Sequence, residues 1–95
     1  MINLTMKTPD VIQAELAERV RAQRKELHYS QAELARRSGV SLGSLKRFEH
    51  THEISLASLI KLSFALGCND DFDKLFAHRR YGSIEEVIAD AEQRS

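Results

Sequence analysis

The segment QAELARRSGVSLGSLKRFE, residues 31–49, constrains the fold more than any other part of the sequence. It predicts two short helices, the first over Gln31–Ser38 and the second beginning after Ser41, which is a good N-cap residue. Gly39 lies between them, and a chain that ends one helix and starts another at a steep angle needs a residue that tolerates a positive φ. The two helices then share an inner apolar face made of Leu34, Ala35, Leu45 and Phe48.

The outer face of the second predicted helix carries small, polar and basic residues: Leu42, Gly43, Ser44, Lys46 and Arg47. A helix with such a face suits insertion into the major groove of DNA. Arg47 is the best candidate for reading a base, because a guanidinium can bind N7 and O6 of guanine together. The alternative for each of these residues is a solvent-exposed helix face.

The distribution of charge supports a nucleic-acid partner although the net charge is zero. Residues 19–52 contain eight Lys or Arg and three Glu, a net charge of +5, whereas residues 1–18 carry −2 and residues 53–95 carry −3. Only charges within a Debye length of about 8–10 Å act strongly on a phosphate. A neutral chain can therefore present a basic face; the alternative is a solvated surface of mixed charge.

Other classes of protein are poorly supported. No apolar run approaches the roughly 18 residues needed to cross a bilayer, and the amino terminus has no signal-peptide pattern, so we expect a cytoplasmic protein without a membrane partner. The single cysteine, Cys68, cannot form an internal disulfide. The histidines match no zinc-binding spacing, so no metal or cofactor is expected. No nucleophile–base pairing or glycine-rich phosphate loop is recognisable, and an enzyme is not expected.

Several motifs in fixed order resemble those of the Xre-type, lambda-repressor-like helix-turn-helix domains: QAELA, the Gly39-Val40-Ser41 turn and the Phe48-Glu49 ending. The likeness extends to residues 16–24 and 55–76, and covers roughly two thirds of the chain. It implies an all-α fold, namely a compact five-helix lambda-repressor-like DNA-binding domain with an additional C-terminal helix. The alternative is a helical hairpin inside an unrelated bundle.

Capping residues predict where the other helices begin. Thr8, which precedes a proline, predicts a first helix that runs to about residue 27. Ser30 predicts the start of the second helix, with Glu33 placed to complete a capping box. Ser55 predicts the fourth helix, which Gly67 ends. The inner faces of the first and fourth helices are expected to include Val11, Leu27 and Leu56.

The fifth helix is predicted after Asn69, over residues 70–77, with Phe72, Leu75 and Phe76 facing inward. A sixth helix over residues 83–94 would either pack on its own domain or offer a surface to another chain. The sequence thus divides into a flexible arm (residues 1–8), a helix-turn-helix domain (residues 9–77) and a C-terminal helical extension (residues 78–95). Phe64 is either core or interface.

The family resemblance implies roles for several residues. Arg24 is expected to pair with Glu49 at a partly buried joint between the first and third helices; the alternative is an arginine that contacts solvent or phosphate. Gln31 is expected to contact the DNA backbone and the outermost base of a half-site. The remaining DNA contacts are assigned to Ser41, Leu42 (on a thymine methyl), Gly43, Ser44 and Lys46 (on phosphates), Arg47 (on a base), and His50 and His52 (near phosphates, where their protonated forms would add pH-dependent affinity).

Gly43 departs from the family pattern, which usually has a side chain at this position. It indicates either a close approach of the backbone to DNA or a helix that discriminates less strongly between bases.

Two functions follow from the resemblance. The first is a sequence-specific regulator of transcription, a repressor, that binds a palindromic operator in double-stranded DNA as a homodimer. The second is the antitoxin of a toxin–antitoxin module, because residues 53–76 are similar to Xre-type proteins encoded beside Hip-type kinase toxins. Such an antitoxin also binds its own operator, so the two functions overlap.

Overall fold

The computed structural model describes residues 6–80 of the chain, and within that range it confirms an all-α fold without strands. The predicted sixth helix and the first five residues lie outside the described range. No helix between residues 6 and 80 is long and apolar enough to span a membrane. The five helices are α1 (Pro9–Glu26), α2 (Gln31–Ser38), α3 (Leu42–Thr51), α4 (Leu56–Ala65) and α5 (Asp71–Lys74).

Side-chain caps start the first four helices. In each of them a hydroxyl oxygen accepts a hydrogen bond from the backbone N–H three residues further on, at 3.0–3.3 Å. Each bond satisfies one of the N–H groups that a helix start leaves without a partner, which typically stabilises a helix by about 1 kcal/mol. The four capping residues are those predicted from the sequence: Thr8, Ser30, Ser41 and Ser55.

The hydrophobic core lies around α2, which packs against both α3 and α4, while α1 packs against α3. Burial of each large apolar side chain in such a core is worth about 1.5–3 kcal/mol relative to exposure. Ala17 brings α1 into this core, and Val40 fills the space beside the turn between α2 and α3. The largest fully buried side chains are Leu34, Leu45, Phe48 and Leu62.

The predictions for the region around α5 are wrong in three respects. The helix is a single turn that begins at Asp71, and Asp70, not Asn69, occupies its N-cap position without a side-chain cap bond. Leu75 follows in an extended conformation, so the helical period that would turn two successive large side chains inward is interrupted. Leu75 is 55% exposed and Phe76 is 95% exposed, whereas Phe72 is half-buried.

Three further apolar residues expected to lie inside are exposed: Val11, Leu27 and Leu56. The first two stand near the two ends of α1, and the third is the first residue of α4. Leu56 and Leu75 line an open apolar groove of about 450 Å³ between α1, α4 and α5. Phe64, on α4, is also exposed and does not belong to the core.

A buried ion pair joins the first and third helices. The Nε and Nη2 atoms of Arg24 donate to the two carboxylate oxygens of Glu49 at 2.9 and 3.0 Å, a two-pronged geometry. The Nη1 atom of Arg24 donates to the carbonyl of Tyr29 at 2.8 Å, and the Nε2 atom of Gln31 donates to Glu49 at 3.2 Å. Only 10% of the Arg24 side chain and 7% of the Glu49 side chain are exposed. This cluster therefore connects α1, the α1–α2 connection, α2 and the end of α3.

We expect Glu49→Ala to lower the free energy of unfolding by about 3–5 kcal/mol, because it leaves the Arg24 guanidinium buried without its counter-ion. That loss is a large part of the 5–15 kcal/mol that typically stabilises a domain. Glu53→Ala is the matched control, since Glu53 also pairs with an arginine but is 62% exposed; it should cost less than about 1 kcal/mol. Equilibrium denaturation of both variants measures the difference. Equal losses in the two variants would show that the buried pair contributes no more to the free energy of unfolding than the exposed pair.

Candidate nucleic-acid interface

A left-handed glycine makes the turn between α2 and α3. Gly39 is the C-cap of α2, with φ 77° and ψ 7°, and its N–H donates to the carbonyl of Ala35. A Cβ atom built on Gly39 would meet nothing within 4 Å, so the backbone conformation and not the available space requires glycine here. The Ser38 hydroxyl accepts from the N–H of Val40 at 3.1 Å and tightens the same turn.

Helix α3 buries one side and exposes the other. Leu45 and Phe48 are 0% and 1% exposed, and they hold the helix against α2 and the rest of the core. The opposite side forms one continuous exposed surface, called here the α3 surface, which consists of Ser41, Leu42, Gly43, Ser44, Lys46, Arg47 and His50. These are the residues of α3 that the sequence assigned to DNA. His52 lies beyond the helix end and is half-buried.

The amino-terminal end of α3 presents hydrogen-bond donors to solvent. The Ser41 hydroxyl accepts from the N–H of Ser44 at 3.1 Å and donates to the Ser44 hydroxyl at 2.8 Å. The Ser44 hydroxyl thus keeps its own proton for another acceptor. The N–H groups of Leu42 and Gly43 precede the first intrahelical bond, so with Ser44 they form a donor cluster suited to a phosphate.

The charged residues of α3 differ in their surroundings. The Nη2 atom of Arg47 donates to the carboxylate of Glu53 at 3.0 Å, and both side chains are mostly exposed. Lys46 forms no ion pair with any residue between 6 and 80. Sequence reasoning missed Glu53, because it lies outside the helix. No residue pattern signals the pair, because it depends on the left-handed backbone of His52, φ 68°, which turns the chain back at the helix end.

Gln31 is placed differently from the other expected DNA contacts. It is half-buried at the start of α2, and its amide nitrogen is engaged by Glu49. The side chain therefore belongs to the interior cluster. A contact between its amide oxygen and DNA stays a prediction.

The carboxylate of Glu33 forms ion pairs with two arginines in the last turn of α2. The Ser30 cap forms, but Glu33 does not close the expected capping box, because its oxygens accept from Arg36 at 2.6 and 3.0 Å and from Arg37 at 2.7 Å. The guanidinium of Arg37 also lies 4.5 Å from the centre of the Tyr29 ring. These contacts hold the guanidinium groups of both arginines against the surface of α2.

The hydrogen bond from Arg36 is the main reason why the pKa of Glu33 falls from 4.5 to about 2; desolvation opposes the fall and Arg37 adds to it. Because the pKa is lowered in the folded state, the contribution of Glu33 to stability is present above pH 4.5 and is lost as the pH falls towards 2.

The described residues show no cluster of three or more His, Cys, Asp or Glu side chains that could hold a metal ion. Cys68 is a free thiol, half-buried at the edge of the core.

Two helices joined by a glycine turn, the second buried on one side and exposed on the other, define a helix-turn-helix domain of the DNA-binding class. A family model described as Helix-turn-helix matches residues 20–72, which is more than half of the 95 residues. The chain belongs to this helix-turn-helix family, as its resemblance to Xre-type, lambda-repressor-like domains predicted, and it is a DNA-binding regulator of transcription. Comparisons with curated proteins and with solved structures gave no match.

We expect alanine to have opposite effects at the two glycines that flank this site. Gly43→Ala should raise the free energy of unfolding by up to about 1 kcal/mol, because Gly43 is helical and an added Cβ meets nothing within 4 Å. Gly39→Ala should lower it by about 1–2 kcal/mol, because an L-residue is strained at φ 77°. Denaturation of both variants measures the two effects. The same sign in both would contradict this account.

We expect the carboxyl group of Glu33 to titrate near pH 2 in the folded protein, as followed by the NMR chemical shift of its carboxyl carbon. Arg36→Ala should raise this pKa most, because the hydrogen bond from Arg36 is the largest cause of the shift, and Arg37→Ala should raise it less. Arg47→Ala is the control and should leave it unchanged. An unaltered pKa in Arg36→Ala would show that the Arg36 bond is absent in solution.

Proposed function

We propose that this protein is a repressor that binds a palindromic operator in double-stranded DNA as a homodimer, with α3 in the major groove. The observation that carries the proposal is the orientation of α3. Leu45 and Phe48 anchor the helix from behind, so the α3 surface faces outward with its serines, its lysine and its arginine accessible. A helix about 10–12 Å across fits a major groove about 12 Å wide.

The division of labour between the contacts follows from their chemistry. Arg47 reads a guanine, since its planar fork matches N7 and O6. Lys46 contacts phosphate, because a compact ammonium without an ion partner among the described residues is a point charge that needs no fixed geometry. Leu42, 37% exposed at the start of α3, packs on a thymine methyl.

The remaining contacts fix the position of the helix on the DNA backbone. Ser41 and Ser44 bind phosphate together with the first N–H groups of α3, and Gly43 allows the backbone to approach closely. His50 and His52 lie at the other end of the helix and contact phosphates there. Gln31 contacts the backbone through its amide oxygen.

Dimerisation is supported by apolar side chains exposed on the α4–α5 region. Phe64 is 65% exposed, Leu75 55% and Phe76 95%. Exposed apolar side chains that form a patch commonly mark an interface with another protein, and we propose that these three residues do so. One domain of this size makes few base contacts, so a two-fold dimer would supply much of the affinity and would read half-sites about 34–36 Å apart.

An antitoxin would use the same DNA surface and would cover the exposed phenylalanines with a toxin, a kinase of the Hip type, in place of a second copy. A pull-down of the tagged chain from its native host distinguishes the two functions. A kinase that co-purifies as a stable partner favours the antitoxin, and a chain that purifies without one favours the repressor.

Selection of bound sites from random duplexes is expected to yield an inverted repeat with half-sites one helical turn apart. Arg47→Ala should then lose about 1–3 kcal/mol of discrimination at a single guanine position. Lys46→Ala should weaken every duplex alike and reduce the slope of log K against log salt by about 0.9. Binding measured on the selected and on substituted duplexes tests both. Uniform weakening by Arg47→Ala would show that Arg47 is not the reader.

A further inference from the structure

The end of α3 brings an acidic side chain onto the proposed base reader. The N–H of His52 donates to the carbonyl of Phe48 at 2.8 Å, and His52 takes a left-handed conformation. The hydroxyl of Thr51 donates to the carbonyl of Arg47 at 2.8 Å and closes the last turn. The chain then bends so that Glu53, six residues after Arg47, reaches its Nη2 atom at 3.0 Å.

We propose that Glu53 is a positioning residue that sets base specificity: it holds the Arg47 guanidinium in the orientation for guanine and disfavours contact of the same guanidinium with phosphate. The proposal rests on the proposed function, in which Arg47 is the base reader.

The geometry leaves the guanidinium competent for guanine. A guanidinium has five N–H donors in one plane, and Glu53 takes a donor on Nη2. Of the remaining donors, two adjacent ones can bind N7 and O6, and the plane in which they lie is restrained by the bond to Glu53. Because Arg47 is 68% exposed, an unrestrained side chain would sample many rotamers. Fixing it in advance reduces the conformational entropy lost on binding a base.

The charge of Glu53 acts differently on the two kinds of DNA contact. Guanine N7 and O6 are neutral acceptors, so Arg47 can bind them while Glu53 stays in place. A phosphate that approaches Arg47 brings a second negative charge to a cation that is already neutralised, and it is repelled by the carboxylate. The pair of Arg47 and Glu53 therefore weakens non-specific binding more than specific binding, which raises the ratio of specific to non-specific affinity.

The neighbouring lysine supports this distinction. Lys46 is exposed next to Arg47 on the same helix and forms no ion pair with a described residue. It stays available for phosphate. Lys46 thus supplies attraction to DNA of any sequence, whereas Arg47, whose charge is compensated by Glu53, contacts a base.

A double-mutant cycle on the full chain tests the proposal with the wild type, Glu53→Gln, Arg47→Ala and the double variant. Three duplexes are used: the selected operator, the operator with the Arg47-dependent guanine replaced, and an unrelated sequence. Glutamine is close in shape and removes the charge. Glu33→Gln is the matched control, because Glu33 is also paired with arginines but lies on α2.

We expect Glu53→Gln to raise affinity for the unrelated duplex by up to about five-fold, the range that an exposed ion pair allows. The slope of log K against log salt should become steeper by about 0.9, because the freed Arg47 gains a phosphate contact. Preference for guanine should fall by up to about the same five-fold. In the Arg47→Ala background, Glu53→Gln should leave base preference unchanged, and Glu33→Gln should leave it unchanged in either background.

Two results overturn the proposal alone: unchanged guanine preference in Glu53→Gln, or an equal change with and without Arg47. If the wild type binds no duplex even in dilute salt, the proposed function fails as well. If the wild type binds DNA but Arg47→Ala keeps the base preference of the wild type, DNA binding is confirmed and the proposed roles of both Arg47 and Glu53 are wrong.

Discussion

The ion pair between Arg24 and Glu49 determines how the rest of the domain is arranged. Both charges are largely removed from water, and each is stabilised there by the other and by the Tyr29 carbonyl and the Gln31 amide. The Nε atom of Arg21, 3.8 Å from the Glu49 carboxylate, adds a second and more exposed positive charge. Among the described residues, no buried side-chain nitrogen or oxygen lacks a partner. Since Glu49 lies in the last part of α3, the pair fixes the carboxyl-terminal half of α3 to α1, while Leu45 fixes its middle to the core.

This internal pairing changes how the charge of the domain should be understood. Residues 19–52 carry a net charge of +5, but their arginines are mostly compensated within the fold: Arg24 by Glu49, Arg36 and Arg37 by Glu33, and Arg47 by Glu53. In the proposed complex with DNA, attraction to phosphate on the α3 surface would therefore be concentrated at Lys46 and at the helix start. A surface with few uncompensated charges depends on geometry more than on bulk electrostatics, which favours discrimination between sequences over tight non-specific binding.

The left-handed residues that end α2 and α3 contribute in different ways. Gly39 makes its turn without steric cost, so the angle between α2 and α3 is unstrained. His52 adopts a similar conformation with a side chain, which costs about 1–2 kcal/mol. The bend at His52 places Glu53 beside Arg47, and we infer that this placement is why the strain persists at the edge of the α3 surface. Glycine at this position would remove the strain but would also loosen the approach of Glu53.

Local interactions could be read from the sequence, and contacts between distant segments could not. The caps at Thr8, Ser30, Ser41 and Ser55 act within three residues, so the helix starts followed from residue type and spacing. The Arg24–Glu49 pair, 25 positions apart, was expected only through resemblance to a family. Only the tertiary structure determined three features: the Gln31–Glu49 bond, the Arg47–Glu53 pair and the exposure of Phe76. Each depends on how separate segments pack against one another, and the apolar pattern of a single helix does not specify that packing.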